Sequence, residues 1–229
     1  MIRSFEGTSL IEYPGRIASV VFFGGCNLYC PFCHNPELVR PDLLAEQYTL
    51  SPRMVLDRLK ARRGFIEGLS ITGGEPLLSP GLGDFISLVK EETGLPVKLD
   101  TNGTLPNRLR EVIQMVDFVA MDLKAAPEGY AKATGGHACF EDVTESLEMI
   151  KALPEYEIRT TMVPGIVDRE GITSTLRRFG PVKRFVLQRF RGEKTLSDAY
   201  QGLPSYPKGY LEETAQLASP FAEDVEIRA

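Results

Sequence analysis

No stretch of this chain stays apolar for the roughly eighteen residues that a membrane-spanning helix needs. The first ten residues carry Arg3 and Glu6 and lack the apolar core of a secretory signal, so the expectation is a cytoplasmic protein with no membrane partner. Positive charge is in short supply. Lys and Arg number 26 against 31 Asp and Glu, a formal net charge of −5, and a general nucleic-acid binder would be basic. Histidine is scarce, with only His34 and His137. The four cysteines are not spread as a disulfide framework: Cys26, Cys30 and Cys33 stand together and Cys139 stands far off. No repeat, low-complexity tract or break in composition marks a domain boundary. The expectation is a single domain over residues 1–229, with a core at about 15–190 and a C-terminal segment at 191–229.

What is present is an ordinary globular composition, 43% hydrophobic and 25% charged. Strand-like and helix-like segments alternate. Residues 17–23 are continuously apolar and branched or aromatic, as in a strand buried on both faces. Residues 51–63 read as a helix with Ser51 as N-cap and Pro52 in the first turn. Further strands are read at 69–72, 97–100, 117–122, 157–163 and 183–190. Helices are read at 82–92, 105–115, 142–152, 170–179 and 206–218, with an edge strand at 225–227. Phe140, Val143, Leu147 and Ile150 recur at helical spacing and share one face. Six strands alternating with helices imply parallel βα units, either a barrel or an open doubly wound sheet. Polar residues and glycines collect after each strand, at Gly24-Gly25-Cys26, Gly73-Gly74-Glu75-Pro76, Asp100-Thr101-Asn102-Gly103 and Asp122-Leu123-Lys124. Such a distribution around every strand end favours a barrel mouth over a single switch point.

The chemistry starts at Cys26-Asn27-Leu28-Tyr29-Cys30-Pro31-Phe32-Cys33. Three soft thiolates in a short loop suit zinc and iron–sulfur clusters alike. A structural zinc site wants a fourth ligand nearby. His34 is badly spaced for that role, and Cys139 lies more than a hundred residues on. Three ligands on a four-iron cluster leave one iron open.

The CxxxCxxC loop after a first strand, followed by Gly73-Gly74-Glu75-Pro76, resembles the radical S-adenosylmethionine (SAM) superfamily, whose fold is a partial (β/α)6 TIM-like barrel. The resemblance implies one [4Fe–4S] cluster on Cys26, Cys30 and Cys33. It also implies that Gly73, Gly74 and Glu75 hold the methionine amino group of SAM and that Phe32 lies against the adenine. Asp100 and Asn102 would sit near the ribose and sulfonium, and Asp122 and Lys124 would line the same cavity. Tyr13-Pro14-Gly15-Arg16, Phe22-Phe23-Gly24-Gly25-Cys26, Cys33-His34-Asn35-Pro36-Glu37 and the DTNG and DLK segments are similar to activating enzymes of glycyl-radical proteins. Within these the chain is most similar to short anaerobic ribonucleoside-triphosphate reductase activators. It departs from formate-lyase activators at Glu12-Tyr13-Pro14-Gly15 and at Phe190, where a histidine is usual. The implied reaction is reductive cleavage of SAM to a 5′-deoxyadenosyl radical, which takes a hydrogen from a glycine of a partner protein. The electron would come from a flavodoxin- or ferredoxin-like donor. No catalytic side chain beyond the cluster is required, so few histidines suffice.

Simpler readings stand beside these. Asp100 and Asn102 also fit an Asx-type turn, and Lys124 a solvent-facing charge. His34 is either an orienting hydrogen-bond group or a surface residue. Cys139 reads as a small buried hydrophobe and His137 as loop. Arg177, Arg178, Lys183 and Arg184 belong to a basic run that reads as a solvated face or as a docking surface for an acidic partner. A radical enzyme acting on a small molecule or peptide is the alternative function. A zinc or electron-transfer module is a third, but it would have no use for GGEP and DTNG.

Overall fold

The computed structural model describes residues 1–228; Ala229, the last residue of the expected C-terminal segment, lies outside the described residues. Eight strands follow chain order in the sheet. The chain packs as two compact units. One comprises Met1–Asn27, Glu37–Thr101 and Asn107–Val119, and the other Leu28–Pro36, Asn102–Pro106 and the described residues from Ala120 on.

In the first unit, β1 (Ile2–Ser9) runs antiparallel to β2 (Ala18–Phe23). β2 is parallel to β3 (Gly68–Gly73), from Ala18↔Gly68 to Phe23↔Gly73, and β3 is parallel to β4 (Val97–Thr101). Crossover helices carry the chain between the parallel strands. After the short α1 (Pro41–Ala45) comes α2 (Pro52–Lys60). Ser51 caps α2: its hydroxyl accepts from the Met54 N–H at 3.2 Å, and Pro52 opens the first turn. Helix α3 (Leu82–Thr93) buries Leu82, Phe85, Ile86 and Val89 along one face and stops at Gly94, whose φ of 70° is the left-handed C-cap. These side chains lie against the sheet face that carries Val21, Ile71 and Leu99, which are in register and each 0% exposed. After β4 come α4 (Pro106–Val112) and β5 (Phe118–Asp122), whose residues from Ala120 on belong to the second unit.

In the second unit, β6 (Tyr156–Met162) is parallel to β7 (Val182–Arg189), and β7 to β8 (Ala222–Arg228). The helices are α5 (Tyr130–Thr134), α6 (Phe140–Lys151), α7 (Arg169–Phe179) and α8 (Lys208–Ala218). Asp168 caps α7, accepting from the Gly171 N–H at 2.7 Å. Val143, Leu147 and Ile150 of α6 are buried as their spacing implies. Phe140 stacks on Phe179 with centroids 5.9 Å apart.

All six strands read from the sequence are present, with small differences at their ends. Sequence reading missed β1, a half-exposed edge strand interrupted by Gly7, and the short α1 and α5. The proposed tail strand at 225–227 is the seven-residue β8. Among the described residues no helix is long and apolar enough to cross a membrane.

Large-to-small changes separate core from surface. Ile71→Ala is expected to cost roughly 2–5 kcal/mol, and Tyr48→Ala, at a side chain 88% exposed, no more than about 0.5 kcal/mol. Chemical denaturation of the two variants measures the difference.

Candidate active site

The ends of β2 and β3 approach so closely that only glycine fits. The Gly74 N–H donates to the Phe23 carbonyl at 2.8 Å and the Glu75 N–H to the Gly25 carbonyl at 2.7 Å. A Cβ on Gly73, where φ is +130°, would stand 2.2 Å from the Phe23 oxygen. One on Gly74 would stand 2.1 Å from the Gly25 oxygen. Glu75 is 1% exposed. Its Oε1 accepts from the Leu77 N–H at 3.1 Å and the Thr101 hydroxyl at 3.0 Å, so the carboxylate links the turn after β3 to the end of β4. Asp100 is buried and ion-paired with Lys98, two residues back on the same face of β4, and Lys98 is itself 1% exposed.

In the second unit, the Cys33 N–H donates to the Cys30 carbonyl at 3.0 Å, a tight turn that closes the loop around buried Phe32. The loop is tied down by the Tyr29 N–H on the Thr134 carbonyl (3.1 Å) and the Ser197 N–H on the Pro31 carbonyl (2.9 Å). Burial pushes the Cys30 thiol up to about 11, against the opposing pull of the Lys124 cation. Lys124 Nζ lies 3.1 Å from Asp122 Oδ2, and Arg159 Nε donates to Asp122 Oδ1 at 2.8 Å. Burial works against the Asp122 charge, but Arg159 and Lys124 overcome it and hold the carboxyl below its ordinary range. Burial likewise works against the Lys124 charge, and Asp122, with Cys30 and Cys33 adding to it, holds the ammonium above its ordinary range. Asn102 forms an Asx-type turn, its Oδ1 accepting from the Thr104 N–H at 2.9 Å and the Thr104 hydroxyl at 2.6 Å.

Several expectations change. Cys139 is exposed rather than buried: it is the N-cap residue of α6, and its thiol donates to Glu141 at 2.8 Å. Lys124 is not a solvent-facing charge, since its side chain is 21% exposed and ion-paired. His34 packs its ring 6.0 Å from that of Phe190 and is half-buried; burial lowers its pKa. His137 is exposed, against Tyr29. Most of the supposed docking cations are committed: Lys183 to Glu155 at 2.7 Å, Arg184 to Asp224 at 2.9 Å, and Arg177 over the Phe221 ring. Sequence reading also missed Lys98, Thr101, Glu157 and Arg159. The signal was available in β4 and β6, where charges recur at alternate positions of otherwise buried strands.

The sequence matches the radical SAM superfamily over residues 20–174. The chain belongs to the radical SAM superfamily. Its relatives include a Methanocaldococcus jannaschii protein provisionally named a glycyl-radical enzyme activating enzyme, 29% identical across 100% of this chain and 95% of that one. The pyruvate formate-lyase-activating enzyme of Clostridium pasteurianum is 33% identical over 73% of this chain and 70% of its own length. The 7-carboxy-7-deazaguanine synthase of Methanothermobacter thermautotrophicus is 36% identical over 55% and 48%. In fold, SuiB of Streptococcus suis, solved with SAM bound, matches with a TM-score of 0.67 at 13% identity, over 92% of this chain and 52% of that one. The fold is therefore the α/β radical SAM fold with its parallel sheet, consistent with the partial barrel read from the sequence.

Radical SAM enzymes carry a [4Fe–4S] cluster and SAM, and the residues here suit both. None of the four cysteines is in a disulfide, so the triad is available as thiolate ligands. The Lys124 cation beside Cys30 and Cys33 favours the ionised thiols that iron requires. No three His, Cys, Asp or Glu side chains are grouped for a single metal ion among the described residues. The choice of a cluster rests on the family and on the all-thiol donor set of the triad.

Anaerobic reconstitution is expected to load about four irons per chain. Cys26→Ala, Cys30→Ala or Cys33→Ala should abolish the reducible chromophore, and Cys139→Ala should retain it. Iron analysis and absorbance read the result. Glu75→Ala should weaken SAM binding and also cost on the order of 1–3 kcal/mol of stability, because two buried donors lose their acceptor. Calorimetric titration and thermal melting measure the two effects separately.

Proposed function

We propose that this chain is a cytoplasmic activating enzyme for a glycyl-radical protein, most specifically an anaerobic ribonucleotide reductase, working as a single radical SAM domain. The observation that carries the reading is the end-to-end correspondence with the activating-enzyme relative from Methanocaldococcus jannaschii. When bound, the cluster and SAM supply an electron and a 5′-deoxyadenosyl radical that removes a hydrogen atom from the partner's glycine. The chain's own residues bind and shield. Cys26, Cys30 and Cys33 would hold three irons and leave the fourth open. The Gly73–Gly74 backbone would receive the methionine ammonium, at a turn that the main chain of Phe23 and Gly25 reserves for glycine. Phe32 would face the adenine, Asp100 and Asn102 the ribose, and the Asp122–Lys124 pair the cofactor's charged end. No proton has to move, so none of these residues needs to titrate. The electron donor is a flavodoxin- or ferredoxin-like protein, and neither nucleic acid nor membrane takes part.

A second reading, a radical enzyme modifying a small molecule or peptide, is favoured by the identity to the 7-carboxy-7-deazaguanine synthase over about half of the chain. The two readings part in one experiment: reduced enzyme, SAM and candidate glycyl-radical proteins are mixed anaerobically and followed by EPR. A glycyl-radical doublet on the partner, with deoxyadenosine formed in step, is the expected result. Full-rate deoxyadenosine formation with a small molecule, and no radical on any protein, would reject the activating role.

A further inference from the structure

Glu157 is a carboxylate with 0% side-chain exposure near the start of β6, and the proposed chemistry makes no use of it. An ion there needs compensation. It comes from Arg228 at the far end of β8, whose Nη1 donates to Oε1 at 2.8 Å and Nη2 to Oε2 at 2.7 Å. This fork-to-fork geometry is the strongest arrangement of such a pair. Glu226 steadies the same guanidinium, accepting from Nε at 2.8 Å and Nη2 at 2.9 Å.

Two residues along β6, Arg159 lies between two carboxylates. Its Nη1 is 3.9 Å from Glu157 Oε1, too far for a hydrogen bond, while its Nε is bonded to Asp122 at 2.8 Å. Arg228 decides between them. With both Glu157 oxygens already held, Arg159 is left to Asp122, and Asp122 in turn holds Lys124. Without Arg228, a buried carboxylate would lack its principal cation. Arg159 Nη1 needs to move only about 1 Å to come within bonding distance, which would draw the guanidinium away from its present seat on Asp122.

We infer that Arg228 is a positioning residue, which keeps Arg159 on Asp122 by satisfying Glu157 and so fixes the Asp122–Lys124 pair for the cofactor. The inference rests on the reading that this pair faces SAM.

The test is SAM affinity, by calorimetric titration of the reconstituted protein, with melting of each cluster-free variant alongside. Arg228→Met should weaken binding about tenfold, the usual effect of losing such a support, and Arg228→Lys should fall between it and the parent. The Glu157→Gln/Arg228→Met double variant should recover most of the loss, because the competing charge is gone. Arg184→Met is the control. It breaks the Arg184–Asp224 bond, which also ties β7 to β8, and should leave SAM affinity unchanged. A double variant as weak as Arg228→Met, or a control as weak, would make Arg228 a strand tether only and overturn the inference. Asp122→Asn and Lys124→Met separate the two levels. If both bind SAM as the parent does, the reading of the pair falls and the inference with it. If they bind weakly while Arg228→Met does not, the inference alone fails.

Discussion

The close approach of two backbones at the ends of β2 and β3 is the constraint on which the first unit's share of the site depends. With Gly74 on the Phe23 carbonyl and Glu75 on the Gly25 carbonyl, the chain leaving β2 is pinned just before Cys26. The chain leaving β3 is pinned where its backbone is bare. A side chain at either glycine would meet main-chain oxygen at little more than 2 Å, and main chain cannot swing aside as a flexible side chain can. Glu75 extends the same lock to β4 through Thr101. Three strand ends are thus held in register by hydrogen bonds that cost no mobility when a ligand arrives, which is what preorganisation requires.

The second unit solves a different problem. Two thiols, two carboxylates and three cations are gathered where water is scarce, and each of the ions would be unstable there alone. They are tolerable because they alternate in sign. Lys124 lies near the cysteines, Asp122 on Lys124, Arg159 on Asp122 and Glu157 next, closed by Arg228. Such a series is a poor source of stability compared with apolar packing. Under the proposed function, its use is what it does for Lys124. An ammonium among thiols must stay charged and stay in place, and Asp122 does both only if Asp122 is itself oriented.

The six parallel strands were legible because buried strands write themselves as apolar runs, and the cysteine loop and GGEP because local spacing carries their chemistry. The half-exposed β1 was not, since an edge strand needs no continuous apolar run and Gly7 interrupts its pattern. Cys139 was misread for a related reason: a small residue at a helix N-cap looks like a core residue until the two glycines before it are placed in a loop. The ion pairs were least visible. Lys98 with Asp100 lies within one strand, and the alternation was there to be seen. Glu157 and Arg228 are 71 residues apart, and only folding discloses that they meet. The basic run 177–194 illustrates the converse. Its charge was plain in the sequence, whereas the partners that occupy Lys183 and Arg184 come from segments outside the run.

What distinguishes a polypeptide substrate from a small one must lie where the superfamily is not uniform. The family match ends at residue 174, before β7 begins. Beyond β7 the chain returns to the cysteine loop, with Phe190 against His34 and the Ser197 N–H on Pro31. That segment also lines a cavity of about 460 Å³, with Arg189, Arg191, Glu193 and the turn at Gly202–Ser205 around it. The cysteines and glycines that would act on SAM thus lie within the matched portion, and this cavity lies outside it. This division allows one radical source to serve many substrates. It also explains why the cysteine loop identifies the superfamily so firmly and says little about the substrate.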